Sequence, residues 1–172
     1  QSKPAFGWVK KGTNPTLKTT AGRARVNIHG ALNLEPFDTP FVVPSTVGGV
    51  SAVQLLAKIE DRNQDKRIIQ VIWDNAAYHK GPDVRAFLSR KNCRIHLIQL
   101  PPYCPHLNLI ERLWAVMHQH VTHNRAYPTQ KQVTQAILKV FRKTIPKQWT
   151  GFRTQLTDNF CIFSDQNLRA LG

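Results

Sequence analysis

Two carboxylates stand where the surrounding sequence could hold a divalent cation. Asp74 directly follows the apolar run RIIQVIW, in WDNAAYH, and Glu111 stands near the start of a helical pattern, in QLPPYCPHLNLIERLW. Acids at the carboxyl end of a central strand often carry the ligand chemistry of α/β proteins. Paired carboxylates in a chain with excess positive charge suit hard cations that handle phosphate. The pair is therefore a candidate metal site.

Each acid also has a structural interpretation. Asp74 fits an Asx turn or a helix cap, since Asp and Asn close many strands. Asn108 and Glu111 have the spacing of a capping box with Asn as the cap. Against plain capping, three prolines stiffen the approach to the helix, and such stiffness helps to hold a carboxylate on a metal. These prolines are Pro101, Pro102 and Pro105.

The elements that must position the two acids predict an α/β domain. RIIQVIW (67–73) has the continuous apolar character of a central strand covered on both sides, and RIHLIQL (94–100) predicts a second strand. GPDVRAFLSRK between them predicts a helix, and the stretch from Leu107 predicts another helix with an apolar stripe facing the core. In a strand–helix–strand–helix unit, both acids reach the same edge of the sheet.

The flanking segments predict further strands and a helical tail. RARVNIHGALNL (23–34) and TPFVVPS read as strands, FGWVKKG and TLKTT as a hairpin, and SAVQLLAKIEDR (51–62) as a helix. TQKQVTQAILKVFRKTI and PKQWTGFRTQL predict two more helices. We therefore expect one domain over residues 1–172, with a core over about 1–125 and a helical tail over 126–172.

The charge of the chain indicates a polyanionic partner. Its 24 Lys and Arg residues against 10 Asp and Glu residues give a net charge of +14, which favours nucleic acid, although a basic soluble protein is the plainer alternative. No acid precedes Glu35, and none occurs between Arg112 and Gln155. An acid-bearing middle between two basic flanks is typical of a charged surface that contains a site.

Cysteine content and hydropathy indicate a cytoplasmic protein. The odd count and irregular spacing of Cys93, Cys104 and Cys161 predict reduced thiols. No apolar run approaches membrane-spanning length, and QSKPAFGWVKK has no signal-peptide core.

The segments WDNAAYH and LPPYCPHLNLIERLW resemble the second and third acid motifs of the mariner-like DDE transposases, in their bacterial insertion-sequence branch. The family typically reads D-N-x-x-x-H and L-P-P-Y-S-P-x-L-N-P-I-E-x-x-W. This chain departs with Cys104 for Ser and Leu109 for Pro, at positions not expected to carry the chemistry. GWVKKG and RVNIHGAL are similar to the family's early strands, so the resemblance covers nearly all of residues 1–145.

The resemblance implies a ribonuclease H-like mixed sheet flanked by helices, with three carboxylates binding two Mg²⁺ or Mn²⁺ ions. Asp74 and Glu111 take the second and third acid positions. The resemblance also implies DNA as the substrate, both transposon ends and target, and a homodimer in a synaptic complex, near the bacterial nucleoid. Asn75, His79 and Asn108 would be supporting groups that orient ligands or substrate. Lys10, Lys11 and Arg112 are expected to contact DNA phosphates.

The first acid of the family pattern has no counterpart in this sequence. In the family it precedes the segment that resembles QSKPAFGWVKKG, whereas Glu35 and Asp38 fall after the third strand, in the wrong place. We therefore expect a chain cut from a longer protein or a decayed gene, without the first strand and the amino-terminal helix-turn-helix region. Such a chain should show little or no strand transfer.

Two alternatives remain open. One is an inactive DNA-binding or interaction remnant, in which the basic residues supply phosphate contacts without metal-dependent cleavage. The other is a zinc site, for which the spacing is poor because no C-x₂-C pair exists. Its candidate ligands are Cys93, His96, Cys104, His106, His118, His120 and His123.

Overall fold

The computed structural model describes residues 10–12, 25–35, 38–102, 104, 107–123 and 125–153. Most of the expected hairpin in FGWVKKG and TLKTT lies outside these residues. The strands are β1 (His29–Gly30), β2 (Phe41–Val42), β3 (Ile69–Trp73) and β4 (Ile95–Gln99). The helices are α1 (Gly49–Arg62), α2 (Pro82–Leu88), α3 (Leu109–Val121), α4 (Gln130–Lys139), α5 (Ile145–Lys147) and α6 (Trp149–Arg153). A 3₁₀ turn spans Ala77–Lys80, and a π-helical segment spans Val140–Thr144.

The parallel pair β3–β4 forms the part of the fold that carries Asp74. The register sets Ile69 against Ile95 and Trp73 against Gln99, so both strands end at the same level. Helices α1 and α2 cover one face of this pair through a core that includes Leu56, Val84 and Phe87. The helix between two parallel strands is the connection that such strands require, because a short hairpin cannot join them.

A second hydrophobic core surrounds α3. Leu113 and Val121 are fully buried there, together with Phe141 and Ile145 from the carboxyl-terminal helices. Phe41 of β2 packs against this core, and β2 pairs antiparallel with β1. The expected apolar stripe of α3 is therefore confirmed, and its burial fixes which side of α3 carries the first-turn residue Glu111.

Two sequence expectations differ from the structure. Of the strand expected over RARVNIHGALNL, residues 25–34 are described, and among them His29–Gly30 is a strand, followed by an isolated bridge between Asn33 and Asp38. The strand β3 is confirmed, but it is not covered on both faces among the described residues, since Ile72 is 59% exposed. The helix α3 packs against the β1–β2 side of the fold.

The expected continuous helix over residues 129–145 is interrupted. The backbone N–H of Ile145 donates to the carbonyl of Val140, five residues earlier, which is the wider π-helical bond. This wider turn places Val140, Phe141 and Ile145 in the same core, where all three are buried. No helix in the described parts of the chain is both long and apolar enough to cross a membrane.

Candidate metal-binding site

Asp74 lies immediately beyond the end of β3, with its carboxylate only partly engaged. Its Oδ1 accepts a hydrogen bond from the backbone N–H of Ala76 at 3.0 Å, which is the Asx turn that the sequence allowed. The side chain is nevertheless 55% exposed. Within the described residues its Oδ2 accepts no hydrogen bond, so the turn and a ligand role are compatible.

In the first turn of α3, the helix is capped by Asn108 and not by the carboxylate of Glu111. Asn108 is the N-cap, and its side chain accepts from the backbone N–H of Ile110 at 3.4 Å. Glu111 is exposed, and its carboxylate makes no hydrogen bond to any described residue. The expectation that Asn108 caps the helix is confirmed, whereas the reciprocal half of a capping box, from Glu111, is not formed. The carboxylate of Glu111 is free to bind something else.

Both carboxylates line the same cavity, which has a volume of about 1070 Å³. The elements that bring them there are the end of β3 and the start of α3, as the strand–helix–strand–helix order predicted. Two acidic side chains with free oxygens on one cavity are a donor set that suits Mg²⁺ or Mn²⁺. Over the residues that the structure describes, no group of three or more His, Cys, Asp or Glu side chains is arranged to hold a metal ion.

One wall of this cavity is an unpaired strand edge. The backbone N–H of Ile69 donates to Arg94, and the carbonyl of Trp73 accepts from Leu100, so these residues bond toward β4. In a parallel pair, the intervening residues direct their backbone groups to the opposite edge. As far as the described chain extends, β3 has β4 as its one partner strand. The edge formed by Gln70 and Ile72 therefore faces the cavity with its backbone groups available.

Asn75 and His79 both brace the loop that carries Asp74. The side-chain amide of Asn75 donates to the carbonyl of Leu100 at 2.6 Å, and its Oδ1 accepts from Gln99. His79 is 7% exposed, and its Nδ1 lies 3.1 Å from the carbonyl of Asp74 and 3.2 Å from its Oδ1. These contacts hold the loop that carries the carboxylate against the ends of β3 and β4. The orienting roles expected for both residues stay predictions.

A cluster behind His79 was not found from the sequence. His29 of β1 places its Nδ1 3.2 Å from the hydroxyl of Ser51, and its ring lies 6.2 Å from that of His79. The ring of His79 in turn stacks on Trp73 at 4.0 Å. The alternation of RVNIHGAL could have indicated His29, because it is a polar residue between two apolar strand positions.

The electrostatics of this cluster follow from burial. Burial lowers the pKa of His29 below its usual value, and the nearby His79 lowers it further, while Asp74 acts in the opposite direction. Burial raises the pKa of Tyr78, and the charge of Asp74 adds to that effect. Tyr78 therefore keeps its proton at neutral pH and can act as a hydrogen-bond donor beside the cavity.

The remaining predicted residues lie elsewhere. Lys10 and Lys11 are exposed, and Arg112 is half-buried on α3 beside Glu111. Cys93 and Cys104 are free thiols, as expected. Among the expected zinc ligands, His106 lies outside the described residues, as do Tyr103 and Pro105 of the proline-rich approach. The others form no metal-binding group of three, so the zinc alternative gains no support.

Comparisons with known proteins place the chain in the DDE endonuclease superfamily. Residues 1–134 match a family model described as "DDE superfamily endonuclease". The chain is 23% identical over 138 residues to "Insertion element IS630 uncharacterized 39 kDa protein" of Shigella sonnei, across 80% of this chain and 40% of that protein. It is 33% identical over 86 residues to "Transposable element Tc3 transposase" of Caenorhabditis elegans, across 49% of this chain and 25% of that protein. The chain thus spans less than half the length of these curated relatives.

Two solved structures share the fold. The "Crystal structure of the Mos1 Strand Transfer Complex" aligns with a TM-score of 0.59 and 20% identity, over 90% of this chain and 48% of that chain. The "Mos1 transposase paired-end complex with left transposon end" aligns with a TM-score of 0.60 and 16% identity, over 87% and 50%. The likeness confirms the ribonuclease H-like α/β class that the sequence resemblance implied.

Proposed function

Because the chain belongs to the DDE superfamily endonucleases, we propose that it is the catalytic domain of a mariner-like transposase that cleaves DNA strands and joins them to a target. The observation that carries the proposal is the placement of Asp74 and Glu111. Both carboxylates have oxygens without partners among the described residues, and both line one cavity that runs along β3. A buried ion pair or a capping box would have used those oxygens.

The proposed metal ligands are Asp74 and Glu111. Their carboxylate oxygens are the donor type that Mg²⁺ and Mn²⁺ prefer, and the exposure of both side chains leaves room for water and phosphate oxygens. When two such ions are bound, they supply Lewis-acid stabilisation of the attacking and leaving oxygens of a phosphodiester. This chain's own residues hold the carboxylates in place for that chemistry.

His79 and Asn75 act as positioning residues in this proposal. His79 is buried against Trp73 and contacts Asp74 through both its backbone carbonyl and its carboxylate. Asn75 links the loop to Leu100 at the end of β4. Asn108 begins α3 and so determines where Glu111 enters the cavity. Each residue restricts the motion of a carboxylate or of the backbone that carries it.

The third carboxylate is expected on an extended segment along the unpaired edge of β3. That edge lines the cavity, and the apolar residues opposite it, including Ile28, Leu56 and Ile59, would cover a strand placed there. A strand paired parallel to β3 would bring its carboxyl-end residue close to Asp74.

DNA is the proposed substrate and partner. The net charge of +14 favours binding to a polyanion, and the matched Mos1 structures are described as transposase complexes with a transposon end and in strand transfer. Lys10, Lys11 and Arg112 remain proposed phosphate contacts. A homodimer that pairs two transposon ends and a location at the bacterial nucleoid belong to the same proposal.

A binding remnant is the second candidate function. It is favoured by one observation: within the described residues, no group of three or more His, Cys, Asp or Glu side chains is arranged to hold a metal ion. A remnant would bind DNA through its basic surface, with affinity that falls steeply as salt rises. It would not cleave DNA in a metal-dependent way.

Metal binding and DNA nicking test the proposal together. Mn²⁺ binding is measured by electron paramagnetic resonance for the wild type and for Asp74→Asn. Asp61→Asn is the matched control, because Asp61 is exposed, as Asp74 is, and its carboxylate also accepts a hydrogen bond, in this case from the side chain of Gln64 at 3.3 Å. We expect Asp74→Asn to lose Mn²⁺ binding and Asp61→Asn to retain it.

Nicking of a plasmid that carries transposon ends is then measured in Mg²⁺ and in Mn²⁺. Without a third carboxylate, this chain should nick slowly or not at all, and any nicking should disappear in Asp74→Asn. Equal Mn²⁺ binding by the two variants would refute the ligand role of Asp74. Robust DNA nicking by the wild-type chain would refute the need for a third carboxylate.

A further inference from the structure

A second, smaller cavity lies beside the carboxylate site. Its volume is about 300 Å³, which is at the lower end of the range of roughly 300–1,000 Å³ for ligand pockets. Its lining residues are Trp73, His79, Lys80, Arg85, Leu97 and Gln99. Trp73 and His79 also line the larger cavity, so these two side chains form a wall between the two spaces.

The wall is held firmly. The rings of Trp73 and His79 are nearly parallel, with an interplanar angle of 8° and centroids 4.0 Å apart. His79 is 7% exposed and contacts Asp74 through its Nδ1. Gln99 donates to Asn75, which is itself bound to Leu100. The small cavity is therefore fixed in position relative to the carboxylate of Asp74.

The small cavity is positively charged. Lys80 and Arg85 are both exposed, and neither side chain forms an ion pair or a hydrogen bond with the described residues. The acid nearest to them in sequence, Asp83, lies beside Gly49 at the start of α1, where its Oδ2 is 2.5 Å from the position of an added Cβ. No acidic residue lines the cavity. Two uncompensated cations at its edge favour an anion.

Several other cations of the same part of the fold are paired. Arg90 binds Glu60 at 2.7 Å, Arg62 binds Asp38, and Lys66 lies 3.3 Å from Glu35. Lys80 and Arg85 differ from these three because they line a cavity next to the carboxylate site and have no acidic partner among the described residues.

We propose that this cavity binds one phosphate of a DNA strand, adjacent along the strand to the phosphate that reaches Asp74 and Glu111. Arg85 supplies a planar fork of donors and Lys80 a point charge, and both are standard ligands for phosphate oxygens. Trp73 and Leu97 provide an apolar surface for the sugar. The rigid wall would then set the register of the strand relative to the two carboxylates. This inference rests on the proposed function.

Salt-dependent DNA binding tests the subsite. Binding of a short labelled duplex is followed by fluorescence anisotropy from low to high salt for Lys80→Gln, Arg85→Gln and the double variant. The matched controls are Arg67→Gln and Lys91→Gln. These exposed cations lie just before the amino-terminal ends of β3 and β4, away from the small cavity, and have no partner among the described residues.

Each subsite variant should lower the slope of log affinity against log salt by about 0.9, and the double variant by about twice that. A slope change of that size corresponds to roughly an eightfold weaker affinity at 0.1 M salt for each single variant. The controls should leave the slope unchanged. Equal losses in the controls would show a diffuse basic surface and overturn the subsite.

Two further measurements separate the possible failures. Inorganic phosphate added at constant ionic strength should not displace the duplex; displacement that is lost in the double variant would indicate a free-anion site and overturn the assignment to DNA. Mn²⁺ binding should be unchanged in Lys80→Gln and Arg85→Gln. If the wild-type protein fails to bind Mn²⁺ while the variants still change the salt slope, the proposed metal site is refuted and the DNA subsite stands.

Discussion

Glu111→Gln and Asn108→Ala, compared in the same assays, separate a metal ligand from a helix cap. The bond from Ile110 to Asn108 is long, at 3.4 Å, so Asn108→Ala should cost about 0.5–1 kcal/mol of unfolding free energy, the lower part of the range for caps. Glu111 makes no hydrogen bond with the described residues. It contributes to folding only through the helix dipole, about 0.3–1 kcal/mol at low salt.

Glutamine is also accepted at this helix position, so we expect Glu111→Gln to change the free energy of unfolding by less than about 0.5 kcal/mol at 0.15 M salt. Metal binding should be weakened more by Glu111→Gln than by Asn108→Ala. Loss of a partner that merely orients a ligand weakens metal binding about 10- to 100-fold, and loss of the ligand itself should cost no less. Asn108→Ala should keep Mn²⁺ affinity within a few-fold of the wild type.

Urea unfolding followed by circular dichroism gives the stabilities, and electron paramagnetic resonance gives Mn²⁺ affinity. The reasoning fails if Glu111→Gln loses more than about 1 kcal/mol of stability while Mn²⁺ binds as before. That result would return Glu111 to the capping role. Loss of both properties in Asn108→Ala would show instead that the helix start and the metal site cannot be separated.

Three other predictions concern the fold around the site. Burial lowers the pKa of His29, so the unfolded state takes up a proton first as pH falls below about 6.5, and stability declines there; His29→Gln should flatten the urea-midpoint curve between about pH 5 and 6.5, and parallel curves would contradict this. The hydrogen bond from the backbone N–H of Arg94 lowers the pKa of Glu60, so its stabilisation is fully present above about pH 4.5 and is lost as pH falls through the lowered folded-state pKa; Glu60→Gln should cost about 1–2 kcal/mol at pH 7 and progressively less as the pH falls below about 4.5. Leu113 is fully buried and Ile72 is 59% exposed, so Leu113→Ala should lose about 2–5 kcal/mol and Ile72→Ala less than about 1 kcal/mol; similar losses would contradict the packing of α3.

The strongest sequence predictions concerned elements with a clear period or punctuation. The apolar runs gave β3 and β4, the early proline gave α2, and the stripe after Leu107 gave α3 with its buried face. These features are local, because hydrophobic periodicity and proline act within a few residues. RARVNIHGALNL was weaker, since pairing depends on a partner strand, and the partner supplied only Phe41 and Val42.

The site was predicted only in outline. Sequence alone indicated that Asp74 and Glu111 could meet at one edge of the sheet, and both indeed line one cavity. It could not decide between cap and ligand for Glu111, because both roles require the same residue at the same spacing. The structure shows that Asn108 caps the helix without a hydrogen bond from Glu111, so Glu111 has no capping role.

The sequence by itself determined the composition of this protein's chemistry: two acids at the ends of regular elements, an excess of cations, and the ordered motifs of one transposase family. Tertiary structure alone decided which side chains are neighbours. It set His29 beside His79, left one edge of β3 open to a cavity among the described residues, and brought Lys80 and Arg85 to the wall of Trp73 and His79 that borders the carboxylate cavity. The physical reason is that these contacts join residues from separate elements, so they depend on how helices and strands pack and not on any local pattern.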